Sequence, residues 1–93
     1  MKINIASKEV IHFIGIGGIG MSGIAELMHK IGYTVMGSDK IEGENVKRLK
    51  DIDININIGH NKKNLQDVNA VVFSSAISQK NPEIQEAKKN QIP

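Results

Sequence analysis

Four of the chain's nine glycines fall between positions 15 and 20, in the run HFIGIGGIG of residues 12–20. Gly15, Gly17 and Gly20 satisfy the pattern G-x-G-x-x-G, with Gly18 as an additional glycine. Glycines at this spacing suit backbone recognition of a diphosphate. Gly15 would permit a tight turn, Gly17 would let an anion approach the backbone, and Gly20 would let a helix pack closely on a strand. The N–H groups at the helix start, with Ile19 between the last two glycines, then bind negative charge without lysine or arginine. A purely structural strand-to-helix turn is the competing reading. Asp39, nineteen residues beyond Gly20, stands where a carboxylate would reach a ribose hydroxyl.

Other residues offer less. Ser74, Ser75 and Ala76 follow an apolar run and could present hydroxyls or amides to a phosphate or sugar, but they fit a turn cap equally well. His60 follows Gly59 on the same rim, where a solvated loop histidine is the alternative. His12 sits inside a strand-like run and reads as a core or edge histidine, and His29 suits the carboxyl end of a helix. The three histidines lack metal-site spacing. No Ser–His–Asp or paired-carboxylate arrangement emerges. Gly18 and Gly23 have the separation of a triphosphate loop, but Ile24-Ala25 stands where Lys-Ser/Thr is required, so no triphosphate chemistry is expected from these residues.

The elements that must position these groups are legible in the periodicity. VIHFI (10–14) is β-branched and aromatic and predicts a strand. Ile24, Leu27, Met28 and Ile31 recur at helical spacing and predict the buried face of a helix beginning near Ile19 and closed by Gly32 in a left-handed conformation. Residues 33–36 predict a second strand running to Gly37-Ser38-Asp39. Val46 and Leu49, preceded by Glu42 and Glu44, predict a short helix. The alternation in Asp53–Ile58 predicts a strand near a sheet edge, and Val68–Phe73 a central one. Only a turn or two of helix fits between them. Asn81-Pro82-Glu83 is a helix start, with Ile84 and Ala87 on its apolar face. Strands alternating with helices predict an α/β fold: a Rossmann-like parallel sheet with helices on both faces, with residues 1–93 forming a single small domain. The run Gln91-Ile92-Pro93 leaves a helix where another strand would begin, so the chain reads as part of something longer.

Composition narrows the partners. A net charge of +2 is spread along the chain and the aromatics are Phe13, Tyr33 and Phe73, too few for a base-stacking surface. No nucleic-acid partner is expected. The uncharged stretch between Glu9 and Glu26 is too short and glycine-rich for a membrane span, and Lys8 and Glu9 interrupt any secretory signal. The absence of cysteine suits a reducing compartment, so the expected location is the cytoplasm, with no membrane partner.

The wording of the loop goes further than its pattern. HFIGIGGIGMSGIAE (12–26) closely resembles the amino-terminal signature of the Mur ligase family, in the form used by ligases that join L-alanine to UDP-N-acetylmuramate in peptidoglycan synthesis. The resemblance continues through Gly37-Ser38-Asp39, Ile58-Gly59-His60, Ser74-Ser75-Ala76-Ile77 and Asn81-Pro82-Glu83. It implies the amino-terminal domain of a three-domain enzyme, binding the UDP part of UDP-N-acetylmuramic acid. ATP, Mg2+ and L-alanine would be handled by a central and a third domain. No cofactor is implied in this domain, which alone would bind and not catalyse. The implied cradle is Gly15–Gly20 with Met21 and Ser22. Ser38, Asp39 and His60 would lie on the uridine side, and Ser74–Ile77 near the diphosphate and sugar. The polar Asp53-Ile-Asn-Ile-Asn stretch departs from the pattern at the pocket's outer edge. Three further readings remain at this stage: an NAD-binding module of an oxidoreductase, the equivalent domain of a related murein peptide ligase, and a non-enzymatic remnant serving only in protein association.

Overall fold

The computed structural model describes residues 9–93; residues 1–8, including Lys8, lie outside the described residues. Four strands form one parallel sheet: β1 (Val10–Ile14), β2 (Thr34–Asp39), β3 (Asn55–Ile58) and β4 (Ala70–Val72), in the order β3-β2-β1-β4. The order reverses between β1 and β4, as the glycine-loop reading requires. Three α-helices, α1 (Ile19–Lys30), α2 (Glu44–Asp51) and α3 (Pro82–Lys89), alternate with the strands. A single 3-10 turn, Lys62–Leu65, makes the short crossover between β3 and β4.

Alternation along the strands sorts side chains into two layers. Ile11, Phe13 and Val35 pack with Met21 and Ala25 of α1 and Val46 and Leu49 of α2. Phe13 and Leu49 are completely buried, each contributing roughly 2–3 kcal/mol of transfer free energy. On the opposite face, Val10, Met36 and Val71 pack with Leu65 of the 3-10 turn, Val68 and Ala87 of α3. His12 and Ser38 share that second face by the same alternation, and both are fully buried.

Two expectations from periodicity fail. In α1 the buried residues are Met21, Ser22 and Ala25, whereas Ile24, Leu27 and Ile31 are 49%, 59% and 45% exposed. The apolar spacing selected the wrong stripe: α1 packs through Met21, Ser22 and Ala25, and only Met28 of the expected face joins the core as a partly buried residue. The run Val68–Phe73 contributes just three strand residues, and these form an edge of the described sheet rather than its centre. β3, by contrast, occupies the other edge, as its polar alternation predicts.

Close approach between β2 and the glycine loop depends on Gly37. A Cβ there would lie 2.8 Å from Ile16 Cβ and 2.9 Å from the Phe13 carbonyl oxygen. The Ser38 carbonyl in turn accepts from both Gly15 N (2.8 Å) and Ile16 N (3.0 Å), fastening the loop to the end of β2.

All three helices end alike. The N–H groups of Tyr33, Ile54 and Ile92 donate back to the Met28, Leu49 and Ala87 carbonyls, and those of Gly32, Asp53 and Gln91 to His29, Lys50 and Lys88. This paired closure requires a left-handed residue. Gly32 has φ +112°, Asp53 +72° and Gln91 +56°. Gln91→Gly should therefore raise the unfolding free energy by up to about 1 kcal/mol, and Gly32→Ala should lower it by about 1 kcal/mol, in urea denaturation.

Candidate functional site

The chain leaves β1 at Gly15, whose φ of +77° admits the turn, and Gly18 N donates back to the Gly15 carbonyl at 3.1 Å. Gly18 is the extended residue preceding α1. No side chain caps the helix and its first turn holds no acid. The orphan N–H groups of that turn therefore keep their hydrogen-bonding capacity and the partial positive charge of the helix start.

These groups open onto a cleft of about 430 Å³ at the carboxyl ends of β1, β2 and β4. Among the expected site residues, Gly15, Gly17, Gly18, Met21, Asp39, Ser74 and Ala76 line it together. Lys40, Ile41, Ile77 and residues 43–46, Glu44 among them, complete its walls. Of these, Ile77 is pressed over the loop: a Cβ at Gly15 would lie 2.8 Å from Ile77 Cδ1. Ile19 and Gly20 are exposed at the helix start beside the cleft.

The glycines divide their work differently from the pattern's usual assignment. Gly17 N donates to Asp39 Oδ2 at 2.8 Å, and a Cβ at Gly17 would meet Val46 Cγ2 at 2.8 Å and Asp39 Oδ2 at 2.9 Å. Space at Gly17 is thus taken by the protein itself, whereas a Cβ at Gly18 would make ordinary contacts, the nearest with the Gly15 oxygen at 3.4 Å. A Cβ at Gly20 would meet nothing within 4 Å, so Gly20 is not the close-packing glycine; Gly37 has that role. Asp39 braces the loop, its other oxygen accepting from Lys40 N at 2.7 Å.

Several expected residues do not face the cleft. Ser22 is buried, with its hydroxyl donating to the Ile19 carbonyl at 3.3 Å. Ser75 is exposed away from the lining. The Ser74 hydroxyl accepts from Ala76 N at 3.2 Å, the turn-capping arrangement, while Ser74 still lines the cleft. Ser38 is completely buried beneath the rim, and His60 lines an adjoining cleft of about 370 Å³ that shares Lys40, Ala76 and Ile77 with the first.

Ser38 and His60 belong to a buried polar cluster centred on Glu83 of α3. Glu83 Oε1 accepts from His12 Nε2 (2.6 Å) and Ser38 Oγ (2.7 Å); Oε2 accepts from Asn64 Nδ2 (2.7 Å) and Asn61 N (3.0 Å). Ser38 Oγ also meets His60 Nδ1 at 2.9 Å. His12 Nδ1 is buried without a partner, which is consistent with its carrying only a lone pair there. Burial pushes the Glu83 carboxyl up, but the hydrogen bonds from His12, Asn64, Ser38 and the Asn61 amide outweigh it and hold it at about 2 instead of 4.5. Sequence reasoning took Glu83 for a simple helix-start acid. The available signal was His12, a polar residue in an otherwise apolar strand that needs a buried partner.

Because Glu83 ionises more readily folded than unfolded, its contribution is complete above pH 4.5 and is lost as pH falls towards about 2. The difference corresponds to roughly 3 kcal/mol. Urea denaturation of the wild type should show this loss between those pH values. Glu83→Gln should be less stable than wild type at neutral pH, by a margin that shrinks as the wild-type carboxylate is protonated.

No group of three His, Cys, Asp or Glu side chains converges as a metal site among the described residues, and no helix among them is long and apolar enough to cross a membrane. The family model for the Mur ligase family, catalytic domain, matches residues 10–93. A UDP-N-acetylmuramate–L-alanine ligase from Rickettsia massiliae is 58% identical over 85 residues, covering 91% of this chain and 18% of the relative. Its counterpart from Pelagibacter ubique is 53% identical over all 93 residues and 20% of the relative. The crystal structure of UDP-N-acetylmuramate-alanine ligase from Thermotoga maritima superposes with a TM-score of 0.86 at 38% identity, covering 89% of this chain and 19% of that one. A murein peptide ligase from Psychrobacter arcticus gives 0.83 at 27% identity, over 90% of this chain and 18% of its own. The chain thus spans about a fifth of the length of the relatives it matches. With the family model covering nearly every described residue, the chain belongs to the Mur ligase family.

Proposed function

We propose that the cleft binds the UDP end of UDP-N-acetylmuramic acid, as the substrate-holding part of a cytoplasmic, ATP-dependent ligase that adds L-alanine in peptidoglycan synthesis. The observation that carries this reading is the uncapped start of α1, with Gly18 and Met21 lining the cleft together with Ser74, Ala76 and Ile77 at the point where the strand order reverses. A diphosphate there would receive backbone N–H groups and the helix dipole. Lys40, common to the two adjoining clefts, adds a cation between the phosphate end and His60. The names of the relatives supply the sugar and the amino acid.

In this reading the 93 residues hold the substrate and leave its activation to residues outside them. Ile24-Ala25 cannot replace the Lys-Ser/Thr of a triphosphate loop. ATP, Mg2+ and L-alanine would meet the lactyl carboxylate on the missing domains. Specificity for L-alanine over a preformed peptide would also reside there.

Calorimetry with UDP-N-acetylmuramic acid, UDP and NAD separates this reading from a dinucleotide-binding one. The first two should bind and NAD should bind far more weakly; tight NAD binding without UDP binding would overturn it. Gly20→Asp tests the location. Space is open at that position, and an acid in the first turn favours the helix, so stability should rise by about 1 kcal/mol. The same charge should repel a diphosphate and weaken UDP at least tenfold. An unchanged UDP affinity in the folded variant would place the ligand elsewhere.

A further inference from the structure

The cluster around Glu83 does more than fill the interior, because its proton inventory has one solution. Glu83 lies in a shell of donors: the Asn61 amide and the Asn64 side-chain amide on Oε2, and His12 Nε2 and the Ser38 hydroxyl on Oε1. An ionised carboxylate can only accept. The single proton of Ser38 Oγ is therefore committed to Glu83. The contact between Ser38 Oγ and His60 Nδ1 (2.9 Å) must then be made with the ring nitrogen donating. The Glu83 Oε2 oxygen, 3.5 Å from the same Nδ1, favours a proton in that position too. A neutral His60 so held has a bare lone pair on Nε2. That atom has no hydrogen-bond partner among the described residues and is not sealed from solvent. The His60 side chain retains 11% of its surface, on the cleft that joins the glycine-loop cleft through Lys40, Ala76 and Ile77.

We propose that Glu83, acting through the Ser38 hydroxyl, holds His60 in its Nδ1–H tautomer, so that Nε2 accepts a hydrogen bond from an N–H of the ligand's base. Glu83 and Ser38 are then positioning residues, and His60 determines specificity. The proposal rests on the reading of the cleft as a UDP site and deepens it. Uracil carries an N–H at ring position 3, whereas cytosine carries a lone pair there. A base with a lone pair would oppose the lone pair of Nε2 and leave both unsatisfied. A site reading the imide would thus select uridine over cytidine nucleotides by the polarity of the base edge, and N3-methyl-UDP isolates ring position 3 from the change of O4 to an amino group.

Nitrogen-15 NMR of the chain at pH 8 reads the tautomer directly, and competition calorimetry with UDP, CDP and N3-methyl-UDP reads its consequence. The expected result is a protonated Nδ1 and an unprotonated Nε2 on His60, with CDP and N3-methyl-UDP at least about tenfold weaker than UDP. An Nε2–H tautomer, or equal affinities for the three diphosphates, would overturn the proposal while leaving the cleft assignment standing. Failure of all three to bind would overturn the cleft assignment and the proposal with it.

Glu83→Gln supplies a readout that a merely structural role would not move. With Asn61 and Asn64 still donating to one side-chain oxygen, the new amide group faces Ser38 and His12 as a donor. Ser38 must then accept from it and give its proton to His60 Nδ1, shifting His60 to Nε2–H. The preference for UDP over CDP should shrink or reverse in the folded variant. A folded Glu83→Gln that retained Nδ1–H and the full preference would refute the relay. If that variant does not fold, Ser38→Ala breaks the same link and should lose the tautomer bias and the discrimination together; retention of both would be equally decisive.

Discussion

The buried carboxylate of Glu83 is the constraint on which the upper end of this fold depends. An ion out of water is costly unless every lone pair is engaged. Here four partners come from three places: His12 in β1, Ser38 in β2, and Asn61 and Asn64 in the crossover after β3. No one of them could be withdrawn without leaving charge uncompensated. Helix α3 is consequently locked, at its first turn, over the carboxyl ends of the strands. His60 and the crossover after β3 are thereby tied to the same carboxylate.

Opposite this polar clamp, the glycine loop is shaped by apolar crowding and by backbone bonds. Gly37 lets Ile16 sit against β2, and the Ser38 carbonyl draws Gly15 and Ile16 down by two hydrogen bonds. Asp39 then reaches across to Gly17. Ser38 therefore serves both systems, with its carbonyl holding the loop and its hydroxyl contacting the carboxylate. The ligand side of the loop remains open because the interior side is already filled.

Much of the architecture was legible because it depends on local patterns. The strand runs, the left-handed Gly32, the helix start at Asn81-Pro82 and the edge position of Asp53–Ile58 follow from period and turn chemistry. The cleft was legible as well, since a glycine loop after a strand has few uses. What remained hidden depends on relations across the chain. Nothing local distinguishes Glu83 as a buried ion, for its partners lie up to 71 positions away. The division of labour among the glycines depends on which neighbours reach them, so Gly17, Gly20 and Gly37 could not be told apart by spacing. In α1 the apolar period pointed to Ile24, Leu27 and Ile31, but the residues buried against the rest of the fold are Met21, Ser22 and Ala25.

That choice in α1 has a geometric consequence. Helix α1 rests on the sheet through Met21, Ser22 and Ala25, and Met21 lines the cleft as well. Ser22 and Ala25, the two small residues of that buried face, stand behind the helix and outside the cleft lining. Enlarging either would act as a wedge, lifting the positive end of the helix from the floor that Asp39 and Gly17 make. The shape of the mouth is written on the hidden face of the helix.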